Sequence, residues 1–109
     1  MKYEFSKCFA LQSPRAEEAK RFYNEVIGLE LRPLRSDPVG EMVAGDNLLY
    51  FEVSDETMGP IFELIVDDIE AARDELLQHG CTVLRWEGVG SSNYIRDPFG
   101  FVFNLWQKR

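Results

Sequence analysis

The chain has 109 residues, of which 45% are hydrophobic and 28% are charged, and its formal net charge is −7 at pH 7. This size and composition fit one globular domain over residues 1–109, and the acidic charge argues against nucleic acid as a partner, since phosphate binding requires clustered lysine and arginine. No apolar run reaches the roughly 18 residues of a membrane span, and the first residues lack the apolar region of a signal peptide, so we expect a cytoplasmic protein without a membrane partner.

The first half of the chain predicts a strand, a helix and three more strands. A strand over residues 3–12 leads to Ser13, a candidate helix N-cap, with Pro14 at the first helical position. We expect the helix to end at Gly28, because glycine readily adopts the conformation that follows a helix. Strands over residues 29–34, 40–44 and 48–54 follow, separated by turn signals at residues 36–38 and 45–47. The helix carries an apolar stripe that we assign to the core: Ala16, Ala19, Tyr23, Val26 and Ile27, beside Phe22.

The second half predicts the same order of elements after a joint at residues 55–60. A strand over residues 61–66 leads to Asp67 or Asp68 as the N-cap of a helix that ends at Gly80. Strands over residues 81–86, 93–96 and 101–106 follow. A flexible glycine-rich loop over residues 88–92 separates the first two, and residues 97–100 have the composition of a type I turn.

The two halves also match each other residue by residue at an offset of 52, the difference between Ala19 and Ala71. At this offset Gly28 coincides with Gly80 and Phe51 with Phe103. Such repetition predicts an α+β fold made of two βαβββ modules, at about residues 1–54 and 60–109. We expect the modules to form an open, barrel-like curved sheet around a central trough, where a function would lie.

Three segments carry a resemblance to a known family. Residues 22–31 (FYNEVIGLEL), 66–72 (VDDIEAA) and 96–105 (RDPFGFVFNL) resemble, in this order, three motifs of the vicinal oxygen chelate superfamily. This superfamily includes glyoxalase I, extradiol dioxygenases, and fosfomycin- and bleomycin-resistance proteins. The resemblance covers nearly the whole chain and implies the duplicated fold.

The resemblance also implies where metal ligands would lie. The corresponding positions are Cys8, Ile61 (or Pro60 if the register slips), Asn104, and Glu52 as the internal equivalent of Asn104. A divalent cation needs about three or four N or O ligands with some negative charge, which this set does not supply. We therefore predict no metal and no cofactor, although weak metal binding by Glu52 with Glu63 stays open. The single histidine, His79, is assigned to the end of the second helix.

Strand alternation predicts which side chains line the trough. The predicted ligand-binding residues are Cys8, Gln12, Tyr50, Glu52, Glu63, Trp86, Tyr94, Asn104 and Trp106. The strand faces that point away from the trough would pack under the helices and carry Phe101, Phe103, Leu105, Phe51 and Val53.

Structural roles remain open for several of these residues. Trp86 and Trp106 could belong to the core or to a dimer interface, and Glu52 could pair with an arginine such as Arg85 or Arg96. Asn104 could satisfy backbone groups, and Cys8 could be an inert buried thiol.

Three functions remain after these observations. The favoured one is a metal-independent small-molecule-binding protein that sequesters a cationic or amphipathic ligand. The alternatives are a glyoxalase-like, metal-dependent lyase or isomerase, and a structural or regulatory dimer without a ligand. No catalytic residue is assigned. We expect a homodimer, because two half-sheets have edges to protect.

Overall fold

The computed structural model describes residues 2–34 and 37–108 and shows an α+β fold. In chain order the elements are β1 (Glu4–Ser13), α1 (Ala16–Glu25), β2 (Glu30–Leu34), β3 (Asp37–Ala44), β4 (Asn47–Val53), β5 (Met58–Val66), α2 (Ile69–Gln78), β6 (Thr82–Arg85), β7 (Tyr94–Arg96) and β8 (Val102–Gln107). The α+β class and the order of elements expected from the sequence are confirmed. Neither helix of the described part is long and apolar enough to cross a membrane.

The chain divides into two compact units, which are described separately. The N-terminal unit is Lys7–Ile61, and the C-terminal unit is Met1–Ser6 with Phe62–Arg109. Strands of the N-terminal unit follow the order β2-β3-β4-β1, and those of the C-terminal unit follow β5-β8-β7-β6. In the N-terminal unit the β1–β4 pair is parallel and the others are antiparallel. In the C-terminal unit the β5–β8 pair is parallel and the others are antiparallel.

The helix α1 covers one face of the N-terminal strands. Ala16 of α1 is buried with Met42 of β3 and Phe51 of β4, and Tyr23 packs at the margin of this core. Because side chains alternate along a strand, Phe51 places the neighbouring Tyr50 on the opposite face. The expectation that Val53 packs under a helix is wrong, since Val53 is 76% exposed at the end of β4.

Both ends of α1 differ from the sequence prediction. Ser13 is not the N-cap: it is still paired with Val53 in the β1–β4 ladder, and its Oγ accepts the backbone N–H of Arg15 at 3.0 Å. Arg15 occupies the N-cap position without a side-chain cap, and the helix ends at Glu25. Val26 and Ile27 therefore lie in the turn after the helix and are exposed, so assigning them to the core was wrong. Phe22 is also exposed.

The ends of α2 follow the local signals. Oδ1 of Asp68 accepts the backbone N–H groups of Glu70 and Ala71, both at 3.1 Å, which identifies Asp68 as the N-cap. Gly80 has φ +90° after the last turn. The N–H of Gly80 donates to the carbonyl of Leu77, and the N–H of Cys81 donates to that of Leu76, which is the Schellman pattern that ends a helix.

The core of the C-terminal unit lies between α2 and the strands. Its buried members are Val66, Ile69, Ala72, Ile95, Phe103 and Leu105. Phe103 and Leu105 thus pack under α2 as expected, but Phe101 does not, because it precedes β8 and is 67% exposed.

Parts of two segments that were predicted to connect strands belong to strands in the structure. The joint expected at residues 55–60 is shorter, since β5 already begins at Met58. Gly59 has φ +133° there, and a Cβ on it would lie 2.8 Å from the carbonyl oxygen of Ala10. Of the turn expected at residues 36–38, Ser36 lies outside the described residues, while Asp37 begins β3.

Candidate functional site

The strand register places polar side chains on the face of each unit opposite its helix. In the N-terminal unit the β1–β4 ladder pairs Ala10 with Tyr50 and Gln12 with Glu52. The β2–β3 ladder pairs Arg32 with Glu41, and the β3–β4 register, Met42 with Leu49, aligns Glu41 with Tyr50. We call this surface the N-terminal polar face, and its members are Cys8, Gln12, Arg32, Glu41, Tyr50 and Glu52.

The centre of the N-terminal polar face is a buried ion pair. Glu41 is 1% exposed, whereas the Arg32 side chain is 55% exposed. Nε and Nη2 of Arg32 both donate to the same oxygen, Oε1 of Glu41, at 3.0 and 2.5 Å. The other oxygen, Oε2, is buried and has no hydrogen-bond partner among the described residues. The Tyr50 hydroxyl of the adjacent strand also forms a side-chain hydrogen bond with this carboxylate.

Tyr50 lies between Glu41 of this ion pair and Cys8. Burial raises the pKa of the Tyr50 hydroxyl, and side-chain hydrogen bonds with Glu41 and Cys8 raise it further. Tyr50 is therefore a neutral phenol at physiological pH, able to donate its proton in a hydrogen bond. Cys8 is partly buried and takes no part in a disulfide.

The C-terminal polar face consists of Ser6, Glu63, Tyr94, Asn104 and Trp106. Glu63 of β5 is paired with Asn104 of β8, and Tyr94 of β7 is paired with Asn104 from the other side. Trp106 lies two residues beyond Asn104 and shares its face. Nδ2 of Asn104 donates to Oε2 of Glu63 at 2.8 Å. Burial raises the pKa of Glu63, while hydrogen bonds from Ser6 and Asn104 partly offset this by favouring its ionised form.

A hydrogen-bond network centred on Asn93 holds the side chain of Asn104 in place. The backbone N–H of Asn93 donates to Oδ1 of Asn104 at 2.8 Å, so both ends of the Asn104 amide are engaged. Asn93 itself is fully buried. Its Oδ1 accepts the N–H groups of Glu87 and Gly88 at 2.7 and 2.8 Å, and its Nδ2 donates to three carbonyls, those of Gly88, Ser91 and Leu105. Asn93 thereby anchors the glycine-rich loop next to the C-terminal polar face.

Eight of the nine predicted site residues lie on these two faces. The N-terminal polar face holds Cys8, Gln12, Tyr50 and Glu52, and the C-terminal polar face holds Glu63, Tyr94, Asn104 and Trp106. Trp86 lies elsewhere. It packs against the core beneath α2, and the guanidinium carbon of Arg73 lies 4.7 Å from the centre of its ring. Trp86 follows the end of β6, so strand alternation does not determine its direction.

The residues at the implied metal positions do not fit a metal ion. Ile61 has no donor atom and is 2% exposed. The amide of Asn104 is already bonded at both ends, to Asn93 and to Glu63. No group of three or more histidine, cysteine, aspartate or glutamate side chains suited to a metal ion occurs within residues 2–34 and 37–108.

An open groove of about 520 Å³ lies on the helix side of the N-terminal unit, at the start of α1. It is lined by Ser13, Arg15, Glu18, Ala19, Phe22 and Thr57. Two of these residues form an exposed ion pair, with Nη2 of Arg15 at 2.6 Å from Oε2 of Glu18. The groove lies on the face opposite Gln12 and the rest of the N-terminal polar face, since Ser13 alternates with Gln12 along β1.

The sequence interpretation missed Arg32, Glu41, Ser6 and Asn93. For Glu41 a signal was present, because an acidic residue stands between apolar neighbours in a predicted strand next to an arginine-bearing strand. Recognising the Arg32–Glu41 pair would have required the hairpin register. For Asn93 the signal was an amide side chain directly after a glycine- and serine-rich loop, where it can bond to loop backbone.

Comparisons with known proteins agree with this architecture. A family model described as a glyoxalase-like domain matches residues 8–106. A hypothetical protein from Bacillus halodurans C-125 superposes with a TM-score of 0.64 at 12% identity, covering 100% of this chain and 96% of that one. A glyoxalase/bleomycin resistance protein/dioxygenase superfamily member from Vibrio splendidus 12B01 superposes with a TM-score of 0.57 at 14% identity, covering 98% and 100%. At these identities the similarity concerns the fold. A search of curated proteins finds no significant match.

Proposed function

Because the chain belongs to the glyoxalase-like domain family, we propose that it binds a small cationic or amphipathic molecule without a metal ion. The family match covers the three segments that resemble the vicinal oxygen chelate superfamily, and that resemblance is confirmed. Family membership does not specify a reaction. The proposal therefore rests on the chemistry of the two polar faces.

The observation that carries the proposal is the Glu63 carboxyl, which Asn104 holds in place at 2.8 Å on the face that also bears Trp106. A carboxylate fixed in a partly buried position attracts a cation more strongly than one in open water. An aromatic side chain on the same face can contact the apolar body of the ligand and add a cation–π interaction. Glu52 and Tyr50 repeat this combination on the N-terminal polar face.

Metal independence is supported by the donor set. Ile61 cannot coordinate, and the Asn104 amide would have to give up two hydrogen bonds to do so. A glyoxalase-like lyase or isomerase remains the second candidate, favoured by one observation, the raised pKa of the partly buried Glu63, which suits an acid–base group.

A binding screen tests the proposal. Cationic aromatic amines and bleomycin should raise the melting temperature of the wild-type protein, and a naphthalene sulfonate should not. Glu52→Gln and Glu63→Gln should each weaken the binding of cations by on the order of 1 to 3 kcal/mol, as for a lost hydrogen bond to a charged group. Glu56→Gln is the matched control, because Glu56 is exposed and lies outside both faces. Stabilisation by the anion, or unchanged cation binding in both variants, contradicts the proposal.

We also propose a homodimer. Phe22, Val26 and Ile27 are large apolar side chains exposed around the end of α1, and such exposed apolar residues are often covered by a protein partner. Light scattering at micromolar concentration should give twice the mass of one chain, and the mass of a single chain would exclude the dimer.

A further inference from the structure

The side-chain amide of Asn104 can face Glu63 in only one way. The backbone N–H of Asn93 contacts Oδ1 of Asn104 at 2.8 Å, and a backbone N–H donates but cannot accept. The oxygen of the Asn104 amide is therefore on this side, so Nδ2 faces Glu63 and donates to its Oε2 at 2.8 Å. Ser6 forms a second side-chain hydrogen bond with Glu63 that favours the ionised carboxylate. Two donors thus hold the Glu63 carboxylate as an acceptor.

Both hydrogen-bond partners of Glu63 are neutral, so neither cancels the charge of its carboxylate. This distinguishes Glu63 from Glu41, whose carboxylate is paired with Arg32. Arg96 is a cation of the same face, but it is exposed and lies two strands away. The strand registers place its backbone roughly 12 Å from that of Glu63. The charge of Glu63 is therefore available to a ligand.

The aromatic side chains beside Glu63 differ in how far a ligand can reach them. Trp106 lies two residues beyond Asn104 on β8, so its backbone is roughly 8 Å from that of Glu63. Glu63 and Trp106 both keep part of their surface exposed to solvent. Tyr94 lies on the same face but is only 4% exposed. A single accessible ring does not enclose a quaternary ammonium ion, which proteins recognise with cages of aromatic side chains.

The carboxylate of Glu63 can supply what the single ring cannot. An ionised carboxylate has about four acceptor sites, and Asn104 and Ser6 take one each. The other sites can accept N–H groups of an ammonium ion, and such hydrogen bonds between ionised groups are stronger than neutral ones. A quaternary ammonium ion has no N–H and gains only the attraction between the charges.

We propose that the C-terminal polar face binds a primary or secondary ammonium group whose N–H groups donate to the Glu63 carboxylate, and that it discriminates against quaternary ammonium ions. This inference rests on the proposed function and adds the chemical class of the ligand. Asn104 and Ser6 position the carboxylate for these bonds, and Trp106 contacts the apolar body of the ligand.

Two isomeric cations test the inference by calorimetric titration at pH 8, where the amine is still protonated. N-isopropyl-2-phenylethylammonium has two N–H groups on its nitrogen, and N,N,N-trimethyl-2-phenylethylammonium has none. The wild-type protein should bind the isopropyl isomer at least about tenfold more tightly. Because the isomers have the same atoms, the same charge and the same aromatic ring, neither size nor total charge produces this order.

Variants assign the preference to one side chain. Glu63→Gln should reduce the difference between the isomers to less than about threefold, because its amide carries no charge. Glu70→Gln is the matched control in the same unit, since Glu70 is exposed on α2, and it should keep both affinities. Trp106→Leu should weaken both isomers by a similar factor, because the indole contacts the body that they share. If Glu63→Gln does not fold, the NMR signal of the Glu63 carboxyl carbon in the wild-type protein should shift on titration with the isopropyl isomer.

The outcomes separate the inference from the proposed function. Equal wild-type affinities for the two isomers, both weakened by Glu63→Gln, overturn the inference and leave cation binding intact. A preference for the isopropyl isomer that persists in Glu63→Gln, or an unmoved carboxyl signal, also overturns it, because another group then accepts the N–H. If the wild-type protein binds neither isomer and none of the cations of the binding screen, the proposed function fails and the inference fails with it.

Discussion

Asn93 offers the most stringent test of how the C-terminal unit is held together. Five backbone groups depend on its side-chain amide: the N–H groups of Glu87 and Gly88 and the carbonyls of Gly88, Ser91 and Leu105. Asn93→Ala removes all five hydrogen bonds together. Leu105 is fully buried, so its carbonyl loses a partner that water cannot easily replace. The other four groups belong to a partly exposed loop, where water can take over part of the loss.

The loss of stability expected for Asn93→Ala is the sum of two terms, one for the buried carbonyl of Leu105 and one for the four backbone groups of the loop. A buried carbonyl left without a donor costs about 1 to 3 kcal/mol, and a replaced hydrogen bond costs about 0.5 to 1 kcal/mol. We therefore expect Asn93→Ala to lower the free energy of unfolding by about 3 to 7 kcal/mol. For a domain of this size, which is stable by about 5 to 15 kcal/mol in total, the melting temperature should fall by roughly 15 to 30 °C.

Urea denaturation followed by tryptophan fluorescence measures this difference. Asn47→Ala is the matched control, because Asn47 is exposed at the start of β4 and should change the unfolding free energy by less than about 0.5 kcal/mol. The backbone N–H of Asn93, which an alanine keeps, should still hold Asn104 in place, so the folded variant should bind ligand normally. A loss below about 1 kcal/mol would refute the view that Asn93 anchors the loop.

Three further predictions concern the backbone, a titrating group and metal content. Gly59→Ala should destabilise the N-terminal unit strongly, because its Cβ would lie 2.8 Å from the carbonyl oxygen of Ala10 at φ +133°; an unchanged melting temperature would contradict this. The pKa of Glu63 is higher in the folded protein than its ordinary value of 4.5. The folded state is therefore destabilised relative to the unfolded state as the pH rises above 4.5 and Glu63 ionises. Glu63→Gln should therefore be more stable relative to wild type at pH 8 than at pH 4, and an equal difference at both pH values would argue against it. Elemental analysis should find far less than one Ni, Zn, Fe or Mn per chain and a chelator should not shift the melting temperature, since Ile61 offers no ligand atom; a stoichiometric metal would favour the lyase or isomerase.

Local signals predicted the elements well where one residue type decides the geometry. Asp68 was one of two cap candidates and does cap α2. Asp97 at the start of the predicted type I turn accepts the N–H groups of Phe99 and Phe101, at 2.8 and 2.9 Å. Such side chains bond to backbone a few residues away, so their partners are visible in the sequence itself.

Local signals failed where the rest of the chain changed the outcome. Ser13 has the chemistry of an N-cap, but the ladder with β4 keeps it extended, and α1 starts later. Val26 and Ile27 continue the apolar pattern of α1 and yet lie beyond its end, exposed. A periodic pattern indicates which face of a helix is apolar, but it does not indicate where the helix ends.

The sequence by itself determined the α+β class, the order of two helices and eight strands, and which strand positions share a face, because these depend on periodicity and on short-range capping. Only the tertiary structure decided which side chains meet across strands. The pairs Arg32–Glu41 and Glu63–Asn104 depend on register, and the role of Asn93 depends on the strand that packs behind its loop. Register is set by packing between residues far apart in the chain, so the buried carboxylate of Glu41 became apparent only in the folded chain.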